Sequence, residues 1–77
     1  MKTVILLFGV LAEEAGTSSI VSEYTGDLEG LKKEIEKDYP AFAGYDYKIS
    51  VNKILADGNS MIKEGDEVAF LPPFAGG

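Results

Sequence analysis

Hydrophobic and polar residues alternate along much of this chain in short runs, which is the pattern of strands rather than of long helices. The first run, residues 3–8, is β-branched and aliphatic and stops at Gly9, so it predicts a buried strand. Residues 10–15 can form a short helical turn that Gly16 terminates. Residues 18–24 alternate less regularly and predict a second strand.

One segment has the period of a helix. Asp27 is a suitable N-cap and Pro40 marks the end of the segment, while Gly30 inside it costs about 1 kcal/mol relative to alanine. Apolar residues recur within it at spacings of three and four, and therefore share one face: Leu28, Leu31, Ile35 and Tyr39.

The second half of the chain returns to strand patterns. Residues 48–52 alternate with Ile49 and Val51 on one face, residues 54–56 form a short run, and residues 67–71 form the last one. The whole order predicts an α+β domain, with a small mixed sheet packed on one main helix. Turn-forming residues separate these runs at positions 53, 57–59 and 64–66.

The two outer strands also predict which sheet face is buried, because residues two apart in a strand share a face. Ile5 and Leu7, with Val68 and Phe70, are natural core residues beneath the helix. The opposite face should meet water but is apolar, so either the short helix and loops wrap it or another protein covers it. We favour the second interpretation, and the expected partner-binding residues are Val4, Leu6, Phe8, Leu55, Ala69 and Leu71.

Composition narrows the possible functions. With 77 residues the chain can form a single domain, residues 1–77, and the absence of cysteine leaves it without disulfides. Thirteen acidic residues against seven lysines give a formal charge of −6, and there is no arginine. Such a chain should bind neither nucleic acids nor anionic membranes, and a partner with a basic surface suits it better.

Side-chain chemistry is also restricted. Because the chain contains no histidine and no cysteine, the commonest general base, soft metal ligand and thiolate nucleophile are missing. We therefore expect neither side-chain catalysis nor a bound metal. The N-terminal apolar run resembles a signal peptide, but Glu13 and Glu14 occupy the place of a cleavage site, so we expect a cytoplasmic protein.

The C-terminal segment, residues 72–77, consists of two conformationally restricted prolines, one aromatic residue, and three residues with little or no side chain. Two prolines end the sheet and favour an extended path away from the body, which predicts an extended, flexible tail. The tail ends in residues with almost no side chain, so it could pass through a narrow channel and present its terminal carboxylate. The residues expected to insert into a partner are Pro72, Pro73, Phe74, Ala75 and Gly76, followed by Gly77.

The sequence GDEVAFLPPFAGG resembles the C-terminal signature of the MoaD family of ubiquitin-like sulfur carriers, which includes small subunits of molybdopterin synthases. The first strand, the DLEGLKKEI helix and the VNK turn follow in the family's order, so the resemblance covers essentially the whole chain. It implies a β-grasp (ubiquitin-like) fold of four to five strands, with the first and last strands central and parallel. One departure is the segment VLAEEAG, which lacks the basic residue that relatives often carry there.

The resemblance also implies a mechanism centred on Gly77. A ubiquitin-activating-type adenylyltransferase would use ATP to adenylate the Gly77 carboxylate, and a sulfur donor would convert the adenylate to a thiocarboxylate. The tail would then enter the large subunit of molybdopterin synthase, in a heterotetramer, and donate sulfur to a pterin precursor. This chain would be a non-catalytic subunit that binds no cofactor of its own.

Three alternatives remain at this point. The chain could carry sulfur for another product, namely thiamine, cysteine or thiolated tRNA. It could instead be a modifier conjugated to protein lysines through Gly77. It could also be a plain interaction module whose tail is idle.

Overall fold

A computed structural model of the chain describes residues 2–72. Within that range the order of elements is β1 (Thr3–Leu7), α1 (Gly9–Ala15), β2 (Ser19–Ser22), α2 (Leu28–Asp38), a 3₁₀ helix (Pro40–Gly44), β3 (Lys48–Val51), β4 (Ile54–Ala56) and β5 (Glu67–Leu71).

The five strands form one mixed sheet in the order β2-β1-β5-β3-β4. Strands β1 and β5 are parallel neighbours in its interior, whereas the β1–β2, β3–β5 and β3–β4 pairs are antiparallel. The expectation that the first and last strands are central and parallel is therefore confirmed. The strand that carries the C-terminal segment lies at the middle of the sheet.

Helix α2 forms as its sequence predicts. The Asp27 side chain caps it by accepting a hydrogen bond of 2.9 Å from the Gly30 N–H. Leu28, Leu31 and Ile35 are buried on one face, which packs against one side of the sheet. The helix ends at Asp38, so Tyr39, the fourth residue of the predicted apolar face, is the C-cap of the helix instead.

The core lies between α2 and the sheet. Ile5, Val68 and Phe70 are fully buried there, and Leu7 is nearly so, which confirms the predicted strand parity. Helix α1 adds Leu11 to the same cluster. Residues 2–72 therefore cover one face of the sheet and leave the other face open, and that open face concerns function.

Three strands are shorter than predicted, and the first of them ends at Leu7 rather than at Phe8. The second strand covers Ser19–Ser22 rather than residues 18–24, and the third ends at Val51 because Asn52 lies in a turn. Asn52 and Lys53 both have positive φ, 53° and 72°. A two-residue hairpin turn of this kind matches the twist of the flanking strands, and asparagine tolerates the left-handed conformation.

Candidate functional site

The sheet face turned away from α2, here called the outer face, carries a row of side chains across four strands. In the strand register Leu6 lies opposite Ala69, Ala69 lies opposite Ser50, and Ser50 lies opposite Leu55. Directly opposed residues point to the same side of a sheet. Two leucines therefore stand at the ends of the row, with the two smallest side chains between them.

This size pattern produces a hollow in the outer face. Ala69 and Ser50 are 8% and 6% exposed and form its floor. The hollow has a volume of about 500 Å³, and its larger apolar lining residues are Leu6, Phe8, Leu55 and Leu71. A shallow concavity with apolar walls can receive a protruding apolar side chain of another protein.

The predicted apolar stripe is present on the outer face, and its role in binding a partner stays a prediction. Val4, Phe8 and Leu55 are exposed, at 46%, 44% and 65%, and Leu6 and Leu71 are half-buried. Ala69 lies on the predicted face as well, but its neighbours bury it, so it forms the floor of the hollow rather than part of its wall. Helix α1 does not wrap the outer face; it packs on the core side of the sheet.

One exposed residue of this face was not among the predicted set. Val21 of β2 lies opposite Val4 and is 61% exposed, so the two valines extend the apolar surface to the edge strand. The sequence gives no clear signal for it, because residues 19–22 read polar, apolar, apolar, polar and do not alternate. The pairing of β2 with β1 decides which of these residues join the face.

The chain leaves the sheet beside the N-terminus of α1. Pro72 is buried and is not the first residue of a free tail, which corrects the predicted start of that segment. Gly9 makes this packing possible, because a Cβ atom there would lie 2.9 Å from Cγ of Pro72. Gly9 also has a φ of 55°, a conformation that favours glycine. The other predicted tail residues, 73–77, lie outside the described residues.

At the opposite end of β5, a network of hydrogen bonds fixes the β3–β4 turn. The Asn52 N–H donates to the Glu67 carbonyl, and the Glu67 N–H donates to Oδ1 of Asn52. The Asp66 carboxylate accepts from the Lys63 N–H at 2.8 Å and from Nδ2 of Asn52 at 3.1 Å. These bonds, the one from Lys63 above all, hold the pKa of the Asp66 carboxyl below its usual range. The network thereby fixes the backbone turn in which Lys53 lies, at the rim of the hollow.

A metal-binding cluster and a membrane-spanning helix are both absent from residues 2–72. That range has no group of three or more acidic, histidine or cysteine residues that could hold a metal ion. None of its helices is both long and apolar enough to cross a membrane.

A mixed sheet with parallel central strands and one long helix across it defines the ubiquitin-like β-grasp class, which confirms the expected fold. Residues 5–77 match the ThiS family, so the chain belongs to that family. It is thus a ubiquitin-like protein of the sulfur-carrier or modifier type.

Individual relatives agree with this assignment. The chain is 28% identical over 82 aligned positions to the molybdopterin synthase sulfur carrier subunit of Mycobacterium tuberculosis, covering 100% of this chain and 99% of the relative. It is 25% identical to small archaeal modifier protein 1 of Haloferax volcanii, with a TM-score of 0.82 and coverage of 94% and 97%. The complex of subunits 1 and 2 of molybdopterin-converting factor from Helicobacter pylori contains a chain that is 25% identical, with a TM-score of 0.71 and full coverage of both.

Proposed function

We propose that this chain is the sulfur carrier subunit of a molybdopterin synthase. The observation that supports this proposal is the apolar hollow of the outer face, which residues 2–72 leave open and which reaches Leu71 at the end of the central strand. A partner seated in the hollow would lie next to the point where the chain leaves the sheet. The five residues beyond Pro72 can then reach about 16 Å from the body when extended.

In this proposal Gly77 is the reacting residue, and the folded domain is the part that the partner proteins bind. The Gly77 carboxylate attacks the α-phosphate of ATP on a ubiquitin-activating-type adenylyltransferase, and pyrophosphate leaves. A donor at the oxidation level of sulfide then attacks the acyl carbon, and AMP leaves to give a thiocarboxylate. The sulfur of that group is the nucleophile that the side chains of this chain do not provide.

The second partner is the synthase large subunit. The solved complex of the two converting-factor subunits from Helicobacter pylori supports a partner of this kind, because one of its chains shares this fold over its full length. The thiocarboxylate sulfur would attack a carbon of the pterin precursor inside that subunit and displace an oxygen leaving group from it, and water would then hydrolyse the resulting thioester to restore the Gly77 carboxylate and leave the sulfur on the pterin. Two such transfers build the dithiolene.

A second candidate function is conjugation to protein lysines through Gly77. The observation that favours it is the similarity to small archaeal modifier protein 1, which is as close in sequence as the converting-factor chain. A carrier for thiamine, cysteine or thiolated tRNA would share the first two chemical steps and differ only in the acceptor.

Deleting Gly77 tests the proposal. The truncated chain moves the carboxylate inward by about 3.5 Å, far more than the roughly 1 Å displacement that already costs a hundredfold in rate. We expect it to keep its melting temperature and its affinity for the large subunit.

The measurement is intact mass after incubation with ATP, the activating enzyme and sulfide, followed by addition of the large subunit and pterin precursor. The full-length chain should exchange one oxygen for one sulfur and return to its original mass when dithiolene forms. Sulfur uptake by the truncated chain would refute the role of Gly77. A full-length chain that gains sulfur but yields no dithiolene would favour another pathway, and attachment to other proteins would favour the modifier.

A further inference from the structure

Charge is distributed very unequally over this molecule. Of the thirteen acidic residues in the sequence, Glu67 is the one that lies in a strand of the sheet. The others lie in helices, turns and loops, and five of them fall at positions 27–38, in α2 and at its N-cap. The excess of negative charge therefore lies at the edges and on the helical side of the molecule and not on the outer face.

The outer face carries lysines instead. Lys53 lines the hollow together with Glu67, and Lys48 lies opposite Leu71 at the other end of β5. Lys2 is exposed and precedes Val4 by two residues, so the alternation of β1 places it on the same side. Three ammonium groups and one carboxylate thus surround an apolar surface.

These ammonium groups have no acidic partner in the described part of the chain. The ion pair found in residues 2–72 joins Lys37 to Glu34 on α2, at 3.6 Å. Lys2, Lys48 and Lys53 are exposed and make no such contact with a described carboxylate. Their charges are therefore available to another molecule.

We propose that the protein seated on the outer face presents an apolar protrusion bordered by carboxylates, so that acidic groups meet Lys48 and Lys53. This inference rests on the proposed function, in which the synthase large subunit is that protein. It reverses, for this surface, the expectation of a basic partner drawn from net charge. Charges of opposite sign at the rim of an apolar contact accelerate association and fix its orientation.

A protein suits this surface better than the two other polyanions that lysines attract. Membranes and nucleic acids are extended, so their charges would also approach the acidic helices and loops that surround the sheet. A protein can place its carboxylates over the outer face alone. It can also fill the hollow with a side chain, which a phosphate backbone cannot do.

Three charge reversals test the inference: Lys48→Glu, Lys53→Glu and, as a matched control, Lys33→Glu. Lys33 is an exposed residue of α2, and each substitution changes the formal charge by the same two units. Binding to the large subunit from the same organism is followed by stopped-flow and titration at about 50 mM and 300 mM salt. Melting temperatures verify that each variant is folded.

We expect Lys48→Glu and Lys53→Glu each to weaken binding by about tenfold at low salt, mainly through slower association, and Lys33→Glu to stay within about twofold of the unmodified chain. Salt should slow association of the unmodified chain and change it little for the two outer-face variants, because each reversal leaves two ammonium groups and two carboxylates on that face. Equal effects of all three reversals, or no effect of any, would overturn the inference and leave the proposed function intact.

Failure of the unmodified chain to bind the large subunit would overturn both proposals. Vesicles rich in phosphatidylserine and a nucleic-acid duplex form two further arms of the test. Binding to either one that depends on Lys48 and Lys53 but not on Lys33 would reassign the surface and refute a protein partner.

Discussion

Truncation of Leu55 tests directly whether the outer face binds the partner. Leu55 is 65% exposed at the wall of the hollow. Burying a whole leucine side chain is worth about 1.5–3 kcal/mol, so a partner that covers the exposed part should gain about 1–2 kcal/mol. We therefore expect Leu55→Ala to weaken binding of the large subunit by about five- to thirtyfold.

The same strand offers a matched control. Ile54 is 71% exposed, and it lies opposite Val51, which packs against the core; Ile54 therefore points to the helical side of the sheet. Ile54→Ala removes a side chain of similar size from the adjacent residue without altering the outer face. We expect it to leave affinity within about twofold of the unmodified chain.

Calorimetric titration of the large subunit gives the two affinities, and thermal denaturation gives the two stabilities. Both substitutions remove mostly exposed surface, so each should lower the free energy of unfolding by less than about 1 kcal/mol. Equal weakening of binding by Ile54→Ala and Leu55→Ala, or normal binding by Leu55→Ala, would refute docking through the outer face. Unfolding of the chain by Leu55→Ala would also refute it, because the outer face would then belong to the core.

Two further predictions concern the core side of the sheet. Alanine usually stabilises a helix relative to glycine, but Gly30→Ala should lower the melting temperature, because its Cβ would collide with the Tyr24 hydroxyl. Gly44→Ala has open space around it and should be neutral, and equal melting temperatures for the two variants would refute the argument. Burial, with a hydrogen bond of 2.7 Å donated to Glu36, raises the pKa of Tyr47 above its ordinary value. The pKa of Tyr47 is higher in the folded chain than in the unfolded chain. The contribution of Tyr47 to the free energy of unfolding should therefore be fully present below about pH 10 and decrease above it. Denaturant unfolding at about pH 8 and pH 11 should show a smaller fall for Tyr47→Phe, and an equal fall would contradict the assignment.

Local sequence determined the strands, the helix and the polarity of the two sheet faces. Side chains alternate along a strand and recur every three to four residues along a helix whatever the rest of the chain does. For this reason the sequence alone assigns Ile5 and Val68 to the core, and Val4 and Leu55 to the outer face. The composition of the C-terminal residues likewise pointed to Gly77 without reference to the fold.

Strand pairing decided the shape of the site. Leu6 and Ala69 are far apart in sequence, and only the parallel β1–β5 register places them in one row. That register turns a predicted contact residue, Ala69, into the floor of a hollow. The β1–β2 pairing brings Val21 to the same surface in a similar way.

Tertiary packing also decided the structural roles of individual residues, which the residue type alone does not predict. Gly30, an unfavourable helix residue by propensity, leaves the space that Tyr24 occupies, and Pro72 packs on Gly9 instead of opening the tail. The sign of the charge on the outer face could not be obtained from a net charge of −6 either. Periodicity is a property of the local backbone, whereas spaces and surface potentials depend on which distant segments meet, and that is set by the folded chain as a whole.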